Sequence, residues 1–194
     1  MVAQTHASNT STTIPSLQKS LVTGAIGFCI VSLLVFGTVA FAERWMYQTF
    51  TVLGAYLVWT VLFIALSGGV FGSLVSGRWR LPSFYLLWAP AFFLYAAAWT
   101  MAYLTQPNTT GEVIGALVGS VMIALVFAAG FRSLSSVVKL SAVLFVSNCL
   151  GYFIGSALHN LFGVPLGMLL WGVAYGLFFG AGIGAALHFV QLRR

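Results

Sequence analysis

Apolar residues run along this chain in six long stretches, each closed by a short polar or Gly/Pro-containing break, and none alternates polar with apolar positions. The stretches cover about 20–42, 50–75, 82–104, 111–131, 137–158 and 165–190. Each reaches the ~20 residues that a helix needs to cross a hydrocarbon core ~30 Å thick. The missing two-residue period argues against a β-barrel. The pattern predicts an all-α membrane protein, a bundle of six transmembrane helices in one domain over 19–194, behind a polar tail at 1–18. Ala40-Phe41-Ala42 looks like a signal-peptidase site, but the stretch before it exceeds a signal core, so the first span is expected to be retained.

Composition agrees with the pattern. Of the 194 residues 60% are hydrophobic and 5% charged, with mean hydropathy +1.02. Soluble domains carry about 25% charged residues, so the expected solvent here is lipid. The net charge of +6 is no sign of nucleic acid, because the cations sit singly or in pairs at span ends. With a cytoplasmic N-terminus, Lys19, Arg78, Arg80, Arg132, Lys139, Arg193 and Arg194 fall inside and Arg44 alone outside. That bias predicts both termini in the cytoplasm. The only acids, Glu43 and Glu112, fall on the outer side. Trp45, Tyr47, Trp79, Trp99 and Tyr103 lie near span ends and read as interfacial anchors. Cys29 and Cys149 lie in apolar stretches and read as free thiols. The expected location is a bacterial inner or thylakoid-type membrane.

Shifting the sequence by 83 residues sets Gly68 on Gly151, Gly72 on Gly155, Ser73 on Ser156, Pro82 on Pro165 and Trp88 on Trp171. Gly24-Ala25 and Leu34-Val35-Phe36 match Gly115-Ala116 and Leu125-Val126-Phe127 at another offset. Two three-helix halves of opposite orientation are the architecture this repeat predicts. Gly172, Gly176, Gly180 and Gly184 make a smooth face on the sixth span, and Gly111, Gly115 and Gly119 a shorter one on the fourth. Small faces of this kind let helices pack closely in lipid, within one chain or between subunits. Pro90 is expected to bend the third span.

Polar residues at membrane depth are few. Asn148 and Ser147 in the fifth span, with Ser73 and Ser156, are the candidates for lining a solute path; an interhelical hydrogen bond is the simpler role for Asn148. His188, in line with the sixth-span glycines, is the one candidate ligand to a haem- or chlorophyll-type metal, although an interfacial histidine is commoner. No span contains Asp or Glu, which disfavours an ion-driven pump. The sequence shows no His/Cys/acid metal cluster, no phosphate-binding loop and no nucleophile–base pair, so no enzyme and no identifiable cofactor is expected. Asn108-Thr109-Thr110 has the form of a glycosylation acceptor. Two functions remain open. One is a small channel or facilitator for a neutral or weakly polar solute. The other is a non-catalytic accessory or assembly subunit of a larger membrane complex, docking helices or pigments, its glycine faces joining it to partners or to copies of itself.

Overall fold

A computed structural model describes residues 13–76 and 80–192. The tail up to residue 12 with His6, and Arg78, Trp79, Arg193 and Arg194, lie outside the described residues. Among the described residues the chain is all helical, in the order α1 (Leu17–Gly72), α2 (Arg80–Thr105), α3 (Thr109–Gly130), a 3-10 turn (Leu134–Ser136), α4 (Val137–Phe162) and α5 (Leu166–Gln191). These five helices are long and apolar enough to cross a membrane, as a multi-pass integral membrane protein requires. Large apolar side chains face outward without cover; Leu86 is 82% exposed and Val138 81%.

The first two expected spans are joined without the loop foreseen at 43–49. Helix continues through those positions, and the interruption falls at Thr51, whose backbone (φ 62°, ψ 174°) is not helical. A straight helix of α1's 56 residues would be about 84 Å long. Instead the chain reverses at Thr51. The rings of Phe28 and Phe71 meet at 5.4 Å, and Trp59 Nε1 donates to Thr38 Oγ1 at 3.0 Å. We call residues 17–50 the first arm and 52–72 the second arm. The expected tail also ends earlier than 18: Ser16 caps α1, its Oγ accepting from Lys19 N. Asn108 caps α3, its side chain accepting from Gly111 N at 3.1 Å.

Antiparallel neighbours are held together where side chains are missing. α1 and α5 share the most extensive interface, and its glycine contacts lie on the first arm. Along it a methyl group on Gly184 would overlap the Ser20 carbonyl, on Gly180 the Gly24 carbonyl, on Gly176 the Cys29 backbone and on Gly172 the Phe36 side chain. The α5 glycine face is therefore an internal seam. Gly111, Gly115 and Gly119 likewise seat α3 on α2, while Gly151 and Gly155 seat α4 on α5.

The molecule has two chemically different ends. At one end, Gln191 Nε2 donates to the Leu74 and Leu187 carbonyls and its Oε1 accepts from Ser76 N, tying α5 to the chain leaving α1. His188 Nδ1 lies 2.8 Å from the Pro15 carbonyl oxygen, and Lys139 Nζ sits 3.6 Å above the Phe189 ring. The opposite end carries Thr51, the α2–α3 and α4–α5 connections, and both acids.

Candidate functional site

Along α2, Tyr95, Trp99 and Tyr103 follow one another every four residues and so share one face. Val35, Val39, Glu43 and Tyr47 make a similar row on the first arm; Tyr56, Trp59 and Phe63 face them from the second arm, and Trp171 and Tyr175 from α5. With Tyr152 of α4 these side chains enclose a cavity of about 270 Å³. Its volume falls just below the ~300–1,000 Å³ usual for ligand pockets, which suits a small molecule. No residue of α3 is in the wall.

The glycine seams set these rings in place from behind. Trp99 packs on Gly115, Tyr95 on Gly119, Trp171 on Gly155, and the Tyr175 backbone on Gly151. Around the wall the rings touch in sequence. Trp99 stacks on Tyr103 at 5.2 Å, Tyr152 stands edge-on to Trp171 at 5.2 Å, and Tyr47 and Tyr56 stand edge-on to Trp59 at 5.9 and 5.6 Å. Exposure falls with depth: Glu43 at the mouth is exposed, whereas Phe63, Phe92, Tyr95 and Tyr175 at the inner end are buried. Beyond them Phe28, Phe71, Trp88 and Phe179, all fully buried, continue the packing toward the Gln191 end.

Polar chemistry in the wall is sparse and directed. Tyr47 donates to Glu43 Oε1 at 3.0 Å, and Tyr152 donates to Glu112 Oε1, outside the wall, at 2.9 Å. At the inner end, Tyr95 donates to Asn148 Oδ1 at 3.2 Å, and the Tyr95 and Tyr175 hydroxyls are 2.9 Å apart. Because Tyr95 gives its proton to an amide oxygen that only accepts, Tyr175 must be the donor between the two phenols.

Of the four path candidates, none lines the cavity. Asn148, 1% exposed, stands one hydrogen bond behind it, with Nδ2 unpartnered. Ser147 donates to its own helix at Leu144 O and lies against Gly182; Ser73 does the same at Val70 O; Ser156 is half-buried on α4. His188 stands at the far end, against Pro15. Among the described residues no three His, Cys, Asp or Glu converge on a metal position. The sequence reading placed Tyr47, Trp99 and Tyr103 at the interface as anchors, whereas they form the wall. A signal was present: six of the seven tyrosines line this cavity, and four-residue spacing already puts several on common faces.

Comparison with protein-family models, curated proteins and solved structures returns no match. The wall itself is the functional information: aromatic side chains from five helical segments, one carboxylate at the mouth and a buried phenol pair at the base.

Proposed function

We propose that this chain crosses the membrane six times with both termini in the cytoplasm, holds a small organic solute in the aromatic cavity, and facilitates its passage. The observation that carries this reading is the cavity's polarity in space. It opens at the Glu43 end and stops at buried aromatic packing, as a binding site reached from one side does. A permanently open pore would need a continuous polar path, and the packing around Phe28 and Phe71 speaks for a carrier-like facilitator that binds before it releases.

The reversal at Thr51 supports the count of six, since α1 supplies two antiparallel arms. Lys19, Arg132 and Lys139 belong to the Gln191 end and Glu43 and Glu112 to the other, which supports a cytoplasmic Gln191 end. Element pairing supports two opposed halves. The first arm packs on α5 as α3 packs on α2, and the second arm on α2 as α4 on α5. The register is not identical: Trp88 donates to Ser67 Oγ, whereas its repeat partner Trp171 lies on Gly155, the counterpart of Gly72. The α5 glycine face is occupied within the chain and so is not free to dock a partner, which supports the facilitator over an accessory role built on that face.

The test is purification in mild detergent from the native membrane, followed by mass spectrometry of what accompanies the protein. The expected result is a small organic molecule that is lost in Trp99→Ala. A stoichiometric membrane partner with no bound molecule would favour the accessory role instead.

A further inference from the structure

The proposal that a solute occupies the cavity leaves its charge open, and the wall speaks to that. Glu43 is the one charged side chain among the wall residues, and no Lys, Arg or His stands there to hold an anion. Arg44 follows it in sequence, about 100° round the helix, and is not in the wall. The rest of the wall is chiefly aromatic side chains, including Trp59, Trp99 and Trp171. An aromatic face carries the negative part of the ring quadrupole and its edge the positive part.

The hydrogen bonds sharpen that polarity. Trp59 turns its N–H edge away to Thr38 Oγ1, and the Cδ1–Nε1 edge of Trp171 lies on Gly155 of α4. Tyr47 and Tyr152 each donate a hydrogen bond to a carboxylate, while Tyr175 donates to the Tyr95 hydroxyl and Tyr95 to Asn148 Oδ1. A phenol that donates strongly becomes richer in electrons on its ring. Several electron-rich faces around one carboxylate form the kind of cage that attracts an ammonium group, worth ~0.5–2 kcal/mol per face.

We infer that the cavity selects a small organic cation, an alkylated ammonium, with rings around the charge and Glu43 at the mouth. The inference rests on the cavity being a solute site, and its test separates the two. Three probes of nearly one shape serve: choline, neutral 3,3-dimethylbutan-1-ol and anionic 3,3-dimethylbutanoate. Each is titrated by calorimetry into the full chain in detergent.

Choline is expected to bind at least tenfold more tightly than the alcohol, and the butanoate not at all. Glu43→Gln keeps an acceptor for Tyr47 and lies at an exposed position; it should weaken choline about tenfold and leave the alcohol unchanged. Trp99→Leu should weaken both. Equal or tighter binding of the alcohol overturns the cation assignment and leaves the solute site standing. No binding of any probe overturns both. Choline binding that is unaltered in both variants also overturns the inference, because the cation would then sit elsewhere.

Discussion

The hydroxyls of Tyr95 and Tyr175 stand 2.9 Å apart, a polar link between α2 and α5 formed by residues 80 positions apart in the chain. It closes the inner end of the cavity and continues to Asn148, so α2, α4 and α5 are joined through three side chains. Removing the middle member should therefore cost more than one bond. Tyr95→Phe leaves the Asn148 amide with neither end satisfied, and a buried unpaired polar group costs ~1–3 kcal/mol. Thermal unfolding followed by circular dichroism in detergent should show a lowered midpoint. Adding Asn148→Leu to that variant should recover most of the loss, because the orphaned amide is gone. A double variant less stable than the single one would contradict the network.

Glycines differ sharply in what surrounds them. Gly180 lies against the Gly24 carbonyl, whereas a Cβ at Gly69 meets nothing within 4 Å. Gly180→Ala forces two backbones apart and is expected to cost ~1–3 kcal/mol or more. Gly69→Ala should be neutral or slightly stabilising, since alanine is the better helix former. Parallel melting curves of the two variants decide the point, and similar losses for both would refute the seam.

At Thr51 the backbone occupies a region essentially reserved for glycine, at a cost of about 1–3 kcal/mol for other residues. Thr51→Gly should raise stability by roughly 1 kcal/mol after the added flexibility of glycine is subtracted. Thr51→Val should give no gain, because it keeps the Cβ. A gain for valine equal to that for glycine would remove strain as the explanation.

The proposed six crossings put Thr49 and Ser135 on opposite sides of the membrane. Both are exposed, and the native thiols Cys29 and Cys149 can be replaced by serine to clear the background. In intact cells an impermeant maleimide should label Thr49→Cys and spare Ser135→Cys until the membrane is opened. Labelling of both from outside would overturn the proposed orientation.

Much of the helical layout was legible because apolar length reports directly on helices, and α2 to α5 lie within a few residues of the expected spans. The reversal in α1 was placed too broadly. The polar run from Glu43 to Thr49 looks like a loop but stays helical, and Thr51 makes the turn with no glycine or proline to announce it. Glycine spacing gave close packing on α5, but nothing in the spacing names the partner; only the structure sets Gly180 on Gly24. The cavity was missed for a different reason. In a chain so rich in aromatics, Trp99 and Tyr103 near a span end fit the interfacial pattern, and their facing partners Tyr47 and Tyr152 come from distant segments. Among the polar residues at membrane depth, Asn148 lies one hydrogen bond from the cavity.

The Gly24–Gly180 seam joins the beginning of the chain to its end, and that has a consequence for biosynthesis. Gly180 is the 156th residue after Gly24, so at ~5–20 residues per second the first arm waits about 8–30 s for its partner to leave the ribosome. Throughout that interval its face around Ser20, Gly24 and Phe28 stands open to lipid or to the insertion machinery. A stop codon that removes α5 alone would leave that face uncovered, even with every earlier helix inserted.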